Sequence, residues 1–455
     1  MTAAADAPRP PVVVIGAGAA GLSAAVAALE AGAAGVVVLE KAPIAGGHAL
    51  VSSGSVAVAF PRKGETIPLQ EAALMAEEIR RFGGPDADPA LARILALGSW
   101  DAYLWLAGLG LTWSNERFRA VGSPSTRNVY SGTSRAGYDY VQILSQAARR
   151  LGAQLRFRTK ALALISGSRG TEGVLVRRPD GRLEAVAASA VVIASGGFAA
   201  SREMRARYLP HIPLDMPCTA NPNGTLLDGA QGDGIRMAQA AGAALVGMQH
   251  VQIVPFSGGR LLDYVGGEIW INSLGRRFVP EGVVFSEFFE ALKRQPGQVM
   301  WAISDSKSRK GATLGVKLEQ GIVRSASSIE EMAAGMDMPA AALRRTIERY
   351  NAGVRAGRDL TFGVPAVGAQ IDTPPYYYGK ELLSLHFTCG GIRINGHAQA
   401  LDVKGRALAG LFAAGETTGG IHGRDRLAGN SLTSCFVFGR IAGQSAAAWQ
   451  KNLAG

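Results

Sequence analysis

Two glycine-rich stretches at opposite ends of the chain carry the residues best suited to chemistry. Near the N-terminus, V-V-V-I-G-A-G-A-A-G-L-S sets Gly16, Gly18 and Gly21 at G-x-G-x-x-G spacing, and Glu40 ends the next apolar run. Glycines so placed allow a tight turn and close approach of backbone to a pyrophosphate, and an acid about 20 residues on can accept from a ribose hydroxyl. Near the C-terminus, H-F-T-C-G-G-I-R-I from His386 is followed by L-F-A-A-G-E-T-T-G-G-I-H-G-R-D-R-L-A-G-N-S-L, ending at Leu432. Gly419, Gly420, Gly423 and Gly429 let backbone approach a flat ligand. Asn430 and Ser431 stand where a helix should start, its N–H groups and positive dipole end aimed at whatever the loop holds. An electron-rich ring suits that position.

The elements that must position these residues follow from pattern. Residues 11–40 read strand, turn, helix, strand. The next loop, K-A-P-I-A-G-G-H-A-L-V-S-S-G-S, ends near Gly54 and lies beside the first; His48 in it reads as a loop histidine bonding backbone. Helical spacing covers 69–82, 89–106 and 137–151, a strand covers 154–165, and a hairpin turns at Pro179-Asp180-Gly181. Residues 190–194 form a buried strand running into S-G-G-F. Gly232-Asp233-Gly234 opens a helix over 235–241, where Asp233 either caps the helix or bonds a ribityl hydroxyl. From about Met248 the texture changes to V-Q-I-V-P-F, a hairpin-like stretch through Trp270 and Gly275, and mixed helices to Tyr350, with a helix start at Asp337-Met338-Pro339. The cofactor pattern resumes near Thr388. The fold class is α/β: a Rossmann-like binding domain in two parts, 1–248 and 388–455, with an inserted α+β capping domain over 249–387. Substrate is expected between cap and cofactor.

Composition excludes several alternatives. A chain of 455 residues with 47% hydrophobic content can bury a large core. The net charge of +11 is spread without basic runs or interleaved aromatics, so a general attraction for anions is expected rather than nucleic-acid binding. No apolar run reaches the ~18 residues of a membrane span, and 1–11 lacks a basic-then-apolar signal pattern, which reads as cytoplasmic. Cys218, Cys389 and Cys435 form no C-x-x-C pair, and neither metal nor haem attachment is indicated. Electrons must then leave through a bound organic cofactor.

Through these motifs the chain resembles the flavoprotein subunit family of fumarate reductases and succinate dehydrogenases. It is most similar to the soluble single-flavin branch with tricarballylate dehydrogenase and urocanate reductase, and more distantly to 3-ketosteroid Δ1-dehydrogenases. The likeness covers nearly the whole chain, through G-A-G-A-A-G-L-S-A-A, V-V-I-A-S-G-G-F, G-D-G, G-R-R-F-V-P-E, R-Y-N and the C-terminal motif. It implies FAD, with contacts from Gly16, Gly18, Ala19, Ala20 and Gly21 in the first loop and Glu40, Lys41, Gly47, His48, Ser53 and Gly54 in the second. Further contacts fall at Gly196, Asp233, Phe387, Glu416, Ser431 and Leu432. His48 aligns with the histidine that carries covalent FAD in membrane-bound complexes, where soluble relatives usually have asparagine; non-covalent FAD is expected.

The resemblance also marks departures. Val254 stands where fumarate reductases have a substrate histidine, and Tyr264 and Phe285 fall near two arginine positions, one of them the proton donor. His386 and Arg426 match the other half of the carboxylate clamp, where a guanidinium can hold a carboxylate bidentately and the imidazole adds a donor. The resemblance therefore implies an FAD-dependent dehydrogenase, desaturase or reductase acting on a C–C bond beside a carbonyl or carboxylate of a small, less charged acid. Arg426 and His386 would anchor the acid and Tyr264 would move the proton. A fumarate-reductase-like reductase of an unsaturated carboxylate, a 3-ketosteroid-type Δ1-desaturase and a flavin electron carrier stay open. The residues name no electron acceptor.

Overall fold

The computed structural model describes residues 9–133, 136–220, 229–311, 313–365 and 368–453. Residues 1–8, on which the reading of a missing signal pattern largely rests, lie outside the described residues. The chain divides into two compact units, one of 1–117, 127–251 and 386–455, the other of 118–126 and 252–385. Segment 118–126, assigned by sequence to the first domain, belongs instead to the second unit, because its backbone bonds there: the Val121 N–H donates to the Asp263 carbonyl at 3.0 Å and the Val265 N–H to Arg119 at 2.9 Å.

The first unit is built on a six-stranded sheet. Its strands are β1 (Val12–Ile15), β2 (Val36–Leu39), β3 (Gln154–Arg156), β4 (Ala190–Ile193), β5 (Gln399–Leu401) and β6 (Ala407–Ala413), in the order β5-β6-β4-β1-β2-β3. All pairs are parallel except β5 with β6. β1, β2 and β4 are buried along their whole length, which is why they read as unbroken valine-rich runs rather than alternating ones. Helix α1 (Ala19–Glu30) leaves the end of β1, and α2 (Asn430–Asn452) closes the chain. A Cβ on Gly439 would sit 2.6 Å from the Ala20 carbonyl oxygen, so a small residue there sets how closely the two helices pack.

Most sequence-derived helices form, as Leu69–Gly83, Pro89–Gly108 and Gly137–Arg150. The single strand expected over 154–165 is instead two: β3 in the large sheet, and Lys160–Gly167 in a separate sheet with Gly170–Arg177 and Leu183–Ala187. Arg158, at φ 52°, turns the chain between them. A non-glycine in the left-handed region leaves no mark in the sequence.

The second unit centres on an antiparallel sheet of Glu268–Ile271, Trp301–Ser304, Tyr376–Lys380 and Arg324–Ala326, in that order. Its core joins Ile269 and Ile303 to Met332, Leu343 and Ile347. Asp337 does not cap the helix that follows. It lies at φ 53°, and the helix Ala340–Ala356 starts after Pro339, whose fixed φ is already helical. Among the described residues no helix is long and apolar enough to cross a membrane.

Candidate active site

The first loop turns at the end of β1, where Gly16 has φ +107° and a side chain would collide with the Ala194 carbonyl, so only glycine fits. Gly18 precedes α1, and no side chain caps that helix; Ala19 and Ala20 are its buried first residues. At the end of β2, Glu40 accepts the Ala17 N–H through Oε2 at 2.9 Å and the Ala42 N–H through Oε1 at 2.8 Å. Each oxygen keeps a second lone pair for a ribose hydroxyl. Burial pushes the Glu40 carboxyl up, against those two N–H groups and the charge of Lys41.

Lys41 is turned toward Asp233, Nζ to Oδ2 at 2.8 Å, and Arg236 meets Oδ1 at 2.9 Å. Asp233 is the first residue of the helix Asp233–Ala240 rather than its cap; Gly232 is the N-cap and no side chain bonds there. Burial raises the Asp233 carboxyl, but Lys41, by hydrogen bond and charge, together with Lys160 and Arg236, holds it below the ordinary value. Ser53 leads into Gly54, whose carbonyl accepts from the buried Tyr140 hydroxyl at 2.8 Å. Gly196, at φ +79°, opens onto space: a Cβ there would meet no heavy atom within 4 Å.

The second cluster gathers around the strand Leu383–Thr388. Glu416 Oε1 accepts from the Thr388 N–H at 3.0 Å and from its hydroxyl at 3.1 Å, which fixes the carboxylate. Glu416 Oε2 lies 3.7 Å from Nδ1 of His48. His48 sits on the short helix Gly47–Val51, and its ring meets the His386 ring edge-on at a centroid distance of 5.2 Å. Thr219 joins the two imidazoles, with Oγ1 2.6 Å from His386 Nδ1 and 3.5 Å from His48 Nε2. His48 is thus placed by side chains, where the sequence suggested a backbone bond. Burial, then the charges of Arg426 and His48, depress the His386 pKa well below its usual value, so this ring is neutral near pH 7.

Arg426 is 4% exposed, stands 5.2 Å above the Phe387 ring and donates through Nη1 to the Leu427 carbonyl at 3.2 Å. Burial lowers its pKa against the opposing pull of Cys389, Asp425 and Glu416. His422 belongs to the same cluster, its ring 5.6 Å from Phe387. Both its ring nitrogens are buried with no hydrogen-bond partner among the described residues, and burial with the charge of Arg426 pushes its pKa down to about 3. Helix α2 starts at Asn430, where the sequence indicated a helix start; its N-cap is Gly429, in the left-handed region, no side chain caps it, and the Asn430 Oδ1 is buried with no hydrogen-bond partner among the described residues. Ser431 and Leu432 are in its first turn.

These residues fit a dinucleotide bearing a flat, electron-rich ring. Uncapped helix starts supply N–H groups, Gly196 opens onto space, and the orphaned Asn430 and His422 atoms want polar partners.

Three positions singled out in the sequence lie in the second unit. The Tyr264 phenol donates to the Arg309 carbonyl at 3.2 Å, and burial raises its pKa. Val254 and Phe285 are buried in one apolar cluster with Trp270, Phe288 and Leu292. Sequence reasoning missed Thr219 and Thr388, which no local pattern marks, and passed over His422, although it lies inside the G-I-H-G-R motif.

Residues 11–432 match the FAD binding domain family. The fumarate reductase (cytochrome) of Shewanella frigidimarina is 31% identical over 450 residues, 97% of this chain and 77% of that protein. The urocanate reductase of Eggerthella lenta is 33% identical over 460 residues, 96% of this chain and 74% of that protein. The solved open conformation of a flavocytochrome c3 fumarate reductase superposes with a TM-score of 0.72 at 31% identity, covering 97% of this chain and 78% of that one.

Proposed function

Because the chain belongs to the FAD binding domain family and is an FAD-dependent oxidoreductase acting on CH–CH groups, we propose that its substrate is a small acid with a single carboxylate beside the reacting C–C bond. Arg426 and His386 bind that carboxylate. The observation that carries the reading is a buried guanidinium over the Phe387 ring, beside the neutral, half-buried imidazole of His386 in the strand Leu383–Thr388. An arriving carboxylate offsets the desolvation of Arg426, and the imidazole adds an N–H donor without adding charge.

Bound FAD supplies the hydride chemistry. Glu416, held by Thr388, and the first turn of α2 supply the polar contacts of the ring, while Glu40 takes a ribose hydroxyl and the N-terminus of α1 takes the pyrophosphate. Asp233 acts on this site through Lys41, which it holds in place.

A single carboxylate is favoured over two by Val254 and Phe285. They stand where the resemblance expects a substrate histidine and an arginine, and neither side chain carries a hydrogen-bond donor for a second carboxylate. Fumarate reduction by a reduced viologen dye is accordingly expected to be very slow, and turnover at tens per second, ordinary for a dedicated enzyme, would contradict this assignment. Tyr264, with its phenol bonded in the second unit, is not needed for carboxylate binding.

The test is Arg426→Lys, assayed on acrylate, urocanate and fumarate with dye in either direction. Lysine keeps the charge and loses the planar fork, so the best acid should lose about 2–4 kcal/mol of transition-state binding, ~30- to 1000-fold in kcat/KM. FAD content should stay at the wild-type level. Unchanged kinetics with any of the acids would refute the clamp.

A further inference from the structure

We infer that Thr219 is a positioning residue that selects the Nε2–H tautomer of His386 and so makes this imidazole a donor to the substrate carboxylate. The inference deepens the proposed function and rests on it for the identity of the acceptor. The hydroxyl lies 2.6 Å from His386 Nδ1, well inside hydrogen-bond range, and 3.5 Å from His48 Nε2, at the edge of it. His386 is thus the closer partner of the hydroxyl, and the inference is that the hydroxyl donates in this contact.

The logic turns on which ring nitrogen carries the proton. A neutral imidazole has one N–H and one lone pair, and the bond made by one nitrogen decides the role of the other. Burial and the charge of Arg426 keep the His386 ring neutral. If Nδ1 carried the proton, it would donate to Thr219, and Nε2 would present a lone pair to an anion, which repels. With the hydroxyl donating to Nδ1, the proton sits on Nε2 and the ring attracts a carboxylate. The neutral donor also escapes the cost of a second buried cation beside Arg426, which is buried at 4% exposure. Thr219 reaches the site from a segment distant in sequence, 167 residues from His386.

The experiment uses the FAD-loaded full chain with Thr219→Val, which keeps the shape and removes the hydroxyl, and Thr219→Ser, which keeps the donor. Nitrogen-15 spectra of histidine-labelled protein read the tautomer directly, with the His386 signal among six histidines assigned by its loss in His386→Gln. Wild type and Thr219→Ser should show the Nε2–H form, and Thr219→Val should lose it. For the best of acrylate, urocanate and fumarate, Thr219→Val should raise KM about tenfold with kcat within about threefold, the pattern of lost uniform binding. Thr219→Ser should recover to within about threefold of wild-type KM. An Nδ1–H tautomer in wild type, an unchanged KM in Thr219→Val, or no recovery in Thr219→Ser overturns the inference. Arg426→Lys measured alongside separates the two claims: no loss there sinks the carboxylate clamp, whereas loss there with a normal Thr219→Val sinks the role of Thr219 alone. Should Thr219→Val not fold, the wild-type tautomer and the Thr219→Ser kinetics still decide the matter.

Discussion

Arg277 in the second unit and Arg426 in the first are both buried, but the charges around them have opposite outcomes. Arg277 bonds Glu281 through Nε at 2.8 Å and Asp359 through Nη2 at 2.6 Å, with Tyr350 and Phe362 against its guanidinium. Burial lowers its pKa, but the two carboxylates outweigh that and the net shift is upward. Around Arg426 the same contest goes the other way, and burial leaves the pKa lowered. A buried guanidinium whose charge is fully answered by its own chain serves structure. One whose desolvation still exceeds the charges facing it gains from an anion that arrives from outside. The contrast between these two arginines can be broken or sharpened experimentally.

The largest effect is expected at Arg277. Arg277→Ala strands Glu281 and Asp359 in the interior and should cost about 3–5 kcal/mol of stability, read from chemical denaturation. Arg426→Lys should change stability far less than it changes kinetics. A variant of Arg277 that unfolds no more readily than wild type would erase the distinction.

Acid should expose the same contrast. His422 is neutral and buried with a folded pKa of about 3 against an ordinary value of 6.5, so below pH 6.5 only the unfolded chain takes up its proton. Its contribution to stability is whole above pH 6.5 and declines as pH falls toward 3. At pH 5 the loss from this one ring is about 2 kcal/mol, and His386, shifted the same way, adds to it. Asp359 is depressed below 3.8 by Arg277, against the effect of burial, so that carboxylate loses its contribution only at lower pH. His422→Gln should therefore flatten the fall in stability between pH 6.5 and 5. Parallel slopes for His422→Gln and wild type would count against a neutral, buried His422.

A smaller effect is expected from Asp233→Asn. The Lys41–Asp233 pair is partly exposed, so stability should drop by about 1 kcal/mol or less, with a several-fold weaker hold on FAD as Lys41 loses its guide. Flavin release that follows Lys41→Met but not Asp233→Asn would show that Lys41 needs no such partner.

What was legible in the sequence follows from how local each constraint is. Gly16, Gly18, Gly21 and Glu40 could be read because a turn at a strand end and a ribose acceptor demand particular residue types at fixed spacing. His386 and Arg426 were found only through resemblance, since they lie 40 residues apart in sequence and neither has a local signature. Thr219 and Thr388 act through contacts with distant segments, which periodicity cannot reveal. Arg158 and Asp337 break or delay elements by adopting positive φ without being glycine, and segment 118–126 changes units through backbone pairing that leaves its side-chain pattern unaltered. His422 was within a quoted motif, but its significance depends on the burial of both nitrogens, a property of the fold.

The central claim is that Arg426 awaits a carboxylate, and an acid compared with its methyl ester tests it most directly. For the best acid of the panel, kcat/KM is measured for acid and ester with wild type and Arg426→Lys, with FAD content determined for both proteins. The account predicts that wild type prefers the acid by ~30-fold or more, that Arg426→Lys loses most of that preference while the ester is turned over about as before, and that FAD is retained. Equal losses for acid and ester, or loss of FAD from the variant, would place Arg426 with Arg277 as a structural residue and contradict the account.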